Sequence, residues 1–263
     1  MKILITGCAG FIGFHLAKKL CKIKKFKVFG IDNLNNYYDL KLKKDRLKIL
    51  MKSKFFNFSK IDISNDKEIS KNFTKNKYDI VVHLAAQAGV RYSITNPEAY
   101  LKSNLLGFYN VINNAKNIKV RHFIFASSSS VYGNQKQMPL KESSQCNEPL
   151  SFYAATKISN ENLAFSYSNI FDLKCTGLRL FTVYGPYGRP DMALFKFINN
   201  INQNKKIQWF NNGNHVRDFT YIDDAVNYIK KIILFKSNKK IPSEIFNSGN
   251  SKTVKLKKFL YEY

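Results

Sequence analysis

Tyr153 and Lys157 stand four residues apart in SFYAATK (151–157), a spacing that puts both on one face of a helix. A phenol titrates near 10, so a tyrosine serving as a base near neutrality needs its pKa lowered by about three units, roughly 4 kcal/mol. One ammonium about 4 Å away supplies energy of that order at an effective dielectric near 20. Lys157 is placed to be that ammonium. A second cluster of hydroxyls lies upstream, where Ser127, Ser128, Ser129 and Ser130 follow an apolar stretch in FIFASSSSVYG. Such a run can relay protons, or it can serve a loop by satisfying local backbone groups.

A cofactor site is readable at the other end of the chain. ILITGCAGFIG sets Gly7, Gly10 and Gly13 directly after a short apolar run and at the start of a helical pattern, with Asp32 closing the next run. In that context the triplet predicts a dinucleotide loop. Gly7 makes the tight turn, Gly10 lets backbone approach a pyrophosphate, and Gly13 allows helix and strand to pack closely. The helix entered at Phe11 and Ile12 then offers its N–H groups to phosphate. Asp32, followed by Asn33, can bond a ribose diol and repels a 2′-phosphate, so NAD is expected rather than NADP. Asp62 and Ile63 after the third run, and Leu84, Ala85 and Ala86 after the fourth, complete the expected cofactor set. Asp62 reads equally as an adenine contact and as a helix cap.

The elements that must position these residues alternate from the first residue. Strands are expected at 2–6, 27–31, 55–61, 79–84, 122–127 and 175–180, and helices at 12–24, 66–75, 97–116 and 151–169. That alternation predicts an α/β fold with a doubly wound parallel sheet and helices on both faces. Residues 1–180 then form the NAD-binding domain, and 181–263 a small substrate-binding part interleaved with the last strands. In the latter, helices are expected at 192–203 and 222–236 and strands at 207–210 and 244–247. Leu256, Phe259, Leu260 and Tyr263 keep helical spacing to the last residue with no cap, which predicts a C-terminal part cut short.

Composition narrows the function classes. The 263 residues are 44% hydrophobic, enough for a sizeable core, and carry a formal charge of +25. Nearly all of that excess is scattered lysine, and the six arginines sit singly at 46, 91, 121, 179, 189 and 217. With no basic patch interleaved with aromatics, the charge reads as solvated surface rather than a nucleic-acid interface. Cys8, Cys21, Cys146 and Cys175 show neither disulfide nor metal spacing, and the four histidines are dispersed, so thiols in a reducing cytoplasm and no metal are expected. No apolar run approaches a membrane span, and the N-terminal glycines argue against a signal peptide.

Taken with the glycine loop, the Ser, Tyr and Lys resemble the catalytic set of the short-chain dehydrogenase/reductase superfamily. LAAQAGVRYS (84–93), LRLFTVYGPYGRPDMALF (178–195), RDFTYIDD (217–224) and GIDNLNNYYD (30–39) are similar to its extended branch of nucleotide-sugar epimerases, those acting on UDP-glucuronate in particular. The resemblance spans essentially the whole chain, and family members run on beyond its last residue. It implies Ser128, Tyr153 and Lys157 as catalytic residues, a homodimer through 97–116 and 151–169, and a UDP-sugar substrate. Ser129 and Ser130 stand where sister dehydratases and decarboxylases carry acidic residues, so neither side reaction has its acid or base. The resemblance makes Arg217 the diphosphate ligand, against a surface pair with Asp218 or Asp223; Arg91 and Asn104 read as site or structural residues alike. Arg189 can grip a sugar carboxylate through two parallel hydrogen bonds, with Thr182 adding a third, or it can merely decorate its loop. A neutral UDP-hexose, a nucleotide-binding module without turnover and a nucleic-acid-binding protein are the competing readings.

Overall fold

The apolar runs line up side by side as one parallel sheet. The computed structural model describes residues 1–135, 138–206, 216–235, 240–256 and 258. Its strands are β1 (Lys2–Thr6), β2 (Lys27–Asp32), β3 (Phe56–Lys60), β4 (Ile80–His83), β5 (His122–Ser128), β6 (Cys175–Leu180), β7 (Thr182–Tyr184), β8 (Val216–Tyr221), β9 (Ser243–Ser248) and β10 (Thr253–Lys255). Seven of them form the main sheet in the order β3-β2-β1-β4-β5-β6-β9. β1 and β4 are buried along almost their whole length, so both faces need covering, and helices cover them. The order reverses between β1 and β4, whose ends meet at Thr6 and His83. Ligands bind at such a switch point, outside the carboxyl ends of the strands.

The covering helices are α1 (Phe11–Leu20), α2 (Leu40–Met51), α3 (Asp66–Asn76), α4 (Tyr92–Thr95), α5 (Pro97–Tyr100), α6 (Gly107–Asn117), α7 (Phe152–Phe171), α8 (Ala193–Asn202) and α9 (Ile222–Ile233). One core cluster joins Phe14, Leu16 and Leu20 of α1, Leu47 and Leu50 of α2, and Val226 and Ile229 of α9 to one face of the sheet. The other packs Phe73 of α3, Phe108, Val111 and Ile112 of α6 and Ala164 of α7 on the opposite face. β7, β8 and β10 make a separate three-stranded sheet. β9 comes from beyond residue 180 yet pairs with β6 from Cys175↔Ser243 to Leu180↔Ser248, in the main sheet.

The helix expected over 97–116 differs in one respect. Leu101–Leu106 is a π-helical turn between α5 and α6 that carries Asn104 inward. α2 has no counterpart among the expected helices: its inward face is Lys43, Arg46, Leu47 and Leu50, and two of those four look like surface residues in the sequence. The strand expected at 207–210 lies outside the described residues, as does most of the helix expected from Leu256 to Tyr263. Among the described residues no helix is long and apolar enough to cross a membrane.

Helix α7 starts where a cap allows it. Ser151 is extended, and its side chain accepts a hydrogen bond from the Ala154 N–H. Ser151→Ala should lower stability by about 1 kcal/mol, typical for losing such a cap. Urea unfolding checks this as a lower midpoint at unchanged slope.

Candidate active site

At the switch point the first loop is held against the fourth strand by contacts that tolerate no side chain. Gly7 has φ +71, and a Cβ there would lie 2.8 Å from the Ala85 nitrogen; one on Gly13 would lie 2.2 Å from the Gly7 carbonyl oxygen. Thr6 Oγ1 accepts from both the Leu84 and Ala85 N–H groups at 3.1 Å, which fixes the facing loop. Gly10 is the N-cap of α1 and makes no side-chain cap bond, so the first N–H groups of the helix, entered at buried Phe11 and half-buried Ile12, are left for a ligand. Asp32 is buried, with Oδ2 on the Ala9 N–H (3.1 Å) and Oδ1 on the Leu34 N–H (2.8 Å). Burial pushes its carboxyl up; those N–H groups and the cations Lys43 and Arg46 pull it back. A cradle that a Cβ would fill, an uncapped helix N-terminus and a carboxylate at the end of β2 fit a dinucleotide.

Asp62 is not a helix cap. Asn65 caps α3 through the Glu68 N–H, while Asp62 accepts from the Ser64 N–H (2.9 Å), the Ser64 hydroxyl (2.7 Å) and Asn33 Nδ2 (3.1 Å). Burial works against its charge, but the Ser64 and Asn33 bonds outweigh it and hold the carboxyl below the ordinary range. Ile63 is pinned beneath it by Asn110, whose Nδ2 donates to the Ile63 carbonyl at 3.0 Å.

The end of β5 is stitched to α7. Lys157 is only 3% exposed, and its Nζ donates to the Ala126 carbonyl at 2.8 Å. Burial pushes its ammonium down to about 8, with the charge of Glu161 pushing back. Ser127 donates to Glu161 at 2.5 Å, and Glu161 takes the Nε and Nη2 of Arg179 at 3.0 and 2.8 Å. Ser128 ends the strand, accepts from the Ser130 N–H at 3.2 Å and so caps the 3-10 turn of Ser129–Tyr132. Tyr153 lies over the same strand end, with the Lys157 ammonium 5.9 Å from its ring centroid. Burial pushes the Tyr153 phenol up, while a hydrogen bond with Ser128 and the charge of Arg189 pull it back. The net direction is upward, the reverse of what Lys157 was expected to achieve. Asn104 bonds the Gln87 backbone on both sides (2.7 and 3.1 Å) and donates to Thr156 Oγ1 of α7 at 3.1 Å.

The loop following β7 is fastened to α1 and α2. His15 shares a hydrogen bond with the Pro186 carbonyl (2.9 Å), and fully buried Arg46 spans Ala9, Tyr38, Tyr187 and Gly188: its Nη1 donates to the Ala9 carbonyl and the Tyr38 hydroxyl, its Nη2 to the carbonyls of Tyr187 and Gly188. The loop bearing Arg189 is thereby tied to the glycine loop. The Arg189 fork is taken by Asp191, Nε to Oδ1 at 3.0 Å and Nη2 to Oδ2 at 2.5 Å, and Tyr37 also donates to Asp191 at 3.1 Å. Thr182 begins β7, half-buried.

Two other expected residues lie exposed. Arg91 is exposed at the start of α4. Arg217 is exposed and donates to the Val216 carbonyl, and Asp218 turns its carboxylate to the Asn250 and Ser251 N–H groups instead. Among the described residues no ion pair joins Arg217 to Asp218 or Asp223. Sequence reasoning missed Arg46, Lys43, Tyr37, Asp191, Glu161 and Arg179. The one usable signal was the i, i+3, i+4, i+7 pattern of Lys43, Arg46, Leu47 and Leu50 behind Asp39, which caps α2.

The chain matches the model of the NAD dependent epimerase/dehydratase family over residues 3–249. Protein CapI of Staphylococcus aureus is 47% identical, over 99% of this chain and 81% of that protein. A probable UDP-glucuronate 4-epimerase of Rhizobium meliloti is 44% identical, over 88% of this chain and 68% of that one. The fold superposes on the crystal structure of UDP-glucuronic acid 4-epimerase from Bacillus cereus, in complex with UDP-glucuronic acid and NAD, with a TM-score of 0.90 and 37% identity, covering 97% of this chain and 80% of that one.

The cradle makes a prediction about cofactor choice. NAD⁺ should bind far more tightly than NADP⁺, and Asp32→Ala should shrink that preference, as measured by fluorescence titration. Equal affinities in the unaltered protein would sink the assignment of Asp32.

Proposed function

This chain belongs to the NAD-dependent epimerase/dehydratase family and is a UDP-sugar 4-epimerase that uses NAD, and on that premise we propose that it interconverts UDP-glucuronate and UDP-galacturonate. One observation carries the choice of sugar. Arg189 sits close enough to Tyr153 for its charge to pull on the phenol. A cation there lies beside the hydroxyl at C4, one carbon from the C5 carboxylate that separates a hexuronate from a neutral hexose. The competing reading, a neutral UDP-hexose, draws on the Asp191 carboxylate that already occupies two N–H groups of Arg189. Nη1 and the second Nη2 N–H remain outside that pair, enough for a carboxylate to be held end-on.

Tyr153 is the base that takes the proton from the C4 hydroxyl, with Ser128 holding that hydroxyl through a second hydrogen bond. Gly7–Gly13 and Asp32 would hold NAD, which when bound would supply the acceptor for the C4 hydride and a positive ring that favours the phenolate. Lys157 holds its charge beneath the phenol, fixed by the Ala126 carbonyl. The 4-keto sugar turns over while its nucleotide stays bound, Arg217 contributing at the diphosphate, and hydride returns to its other face. Ser129 and Ser130 are half-buried and bring no acid or base to the intermediate. The β-keto acid formed on the way loses CO₂ once its carboxylate bond aligns with the carbonyl π system; Arg189 and Thr182 hold it out of alignment.

The enzyme works in the cytoplasm, in keeping with four unpaired cysteines. It pairs as a homodimer through the helices around α6 and α7, whose outer faces expose Leu101, Leu106, Tyr109 and Phe165.

Given UDP-glucuronate and NAD⁺, the protein should form UDP-galacturonate. Tyr153→Phe should abolish that turnover and leave NAD bound, since the ring packs alike but accepts no proton. Near-normal rates in Tyr153→Phe remove the mechanism. Arg189→Ala should weaken UDP-glucuronate binding by roughly 1.5–3 kcal/mol, the scale of a charged hydrogen bond. It should also release more UDP-4-keto-pentose per turnover, seen by mass spectrometry. Unchanged affinity with no extra decarboxylation would return the neutral hexose to first place.

A further inference from the structure

The proton path accounts for Ser128 but leaves a buried acid one turn further along α7 without a task. Glu161 and Arg179 form an ion pair with side chains only 11% and 6% exposed. A buried pair of this kind is weak evidence for stability, because the desolvation of both ions offsets their attraction. Its position is more informative. Glu161 follows Lys157 by four residues and so shares its helix face. Two successive residues at the end of β5 hold the two side chains, the Ala126 carbonyl taking Lys157 and the Ser127 hydroxyl donating to Glu161.

The geometry points to Glu161 as a positioning residue for the reaction: clamped by Arg179 and Ser127, it keeps the Lys157 ammonium charged and docked beneath Tyr153. The proposal rests on the roles given above to Tyr153 and Lys157. The charge balance around the pair supports it. From α7 come Tyr153, Lys157 and Glu161. β4 contributes His83, which burial pushes down to about 3 and so keeps neutral. β6 contributes Arg179, stacked 4.7 Å from the Tyr132 ring centre. The loop before α7 contributes the Glu142 carbonyl on Arg179 and Cys146, a thiol that burial pushes up. Arg189 faces Tyr153 from the loop beyond β7. Glu161 is the anion that offsets the burial of the Lys157 ammonium.

The test uses two substitutions of opposite sign. Removing the carboxylate in Glu161→Gln leaves Arg179 uncompensated, so Lys157 should lose its proton at lower pH. Removing the cation in Arg179→Met leaves Glu161 unopposed, so Lys157 should hold its proton to higher pH. Each shift should be about one to two pH units, the effect of one charge roughly 6–12 Å away at an effective dielectric near 20. Lys157 is followed by NMR of protein carrying ¹³C-labelled lysine, its signal identified by its loss in Lys157→Met. The alkaline limb of the kcat profile, which needs Lys157 charged, should move acidward in Glu161→Gln and alkaline in Arg179→Met, with KM little changed. Should one variant fail to fold, the other still carries a signed expectation, and Ser127→Ala, which spares the ion pair, should move both readouts slightly acidward. A Lys157 titration that stays put in the variants, or moves the same way in both, would overturn the proposal. A titration that moves as stated beside an unmoved kcat profile would instead overturn the catalytic roles of Tyr153 and Lys157.

Discussion

A single buried ammonium sets the terms for the rest of this structure. Lys157 gives up nearly all its water to lie at the end of β5, and burial pushes its ammonium down to about 8 even with the charge of Glu161 pushing back. A charge so placed persists only with fixed partners on every side. The Ala126 carbonyl is one, and it is fixed because β5 is paired to β4 and β6 in the middle of the sheet. The helix that carries Lys157 must be equally immobile. α7 is capped by Ser151, tied to the π-helical turn through Thr156 and Asn104, and fastened to β5 and β6 by Glu161.

The second dependence runs between the two ligand sites. Arg46 joins the carbonyl of Ala9, in the glycine loop, to those of Tyr187 and Gly188, next to Arg189. His15 makes a parallel tie from α1 to Pro186. Order in the cofactor loop is therefore also order in the substrate loop. An epimerase has reason to want this, since the keto intermediate must turn over without leaving and without meeting water.

Much of the fold was legible because its signals are local. β1 and β4 are unbroken aliphatic runs, the glycine triplet sits between a strand and a helix, and Tyr153 and Lys157 share a helix face at four residues apart. Helix α2 was hidden because two of its four inward residues are Lys43 and Arg46, indistinguishable in sequence from the solvated lysines around them. Glu161 and Arg179 stayed unread for the same reason: they are 18 residues apart, and their burial follows from the pairing of β5 with β6. The Arg46 contacts reach across 141 residues to Tyr187, further than any periodicity can show. The clamp of Asp191 on Arg189 lies two residues away and still needed the fold, because only the turn of the loop brings the carboxylate back onto the fork.

On the proposed route one closed site moves the same hydride off C4 and back again on a hexuronate. UDP-glucuronate carrying deuterium at C4 tests it most directly, with unlabelled NADH present in excess outside the site. The UDP-galacturonate formed should keep its deuterium at C4, with none transferred to the external cofactor. Product that has exchanged its C4 label for protium, or no product at all from the hexuronate while UDP-glucose is epimerised, would contradict it.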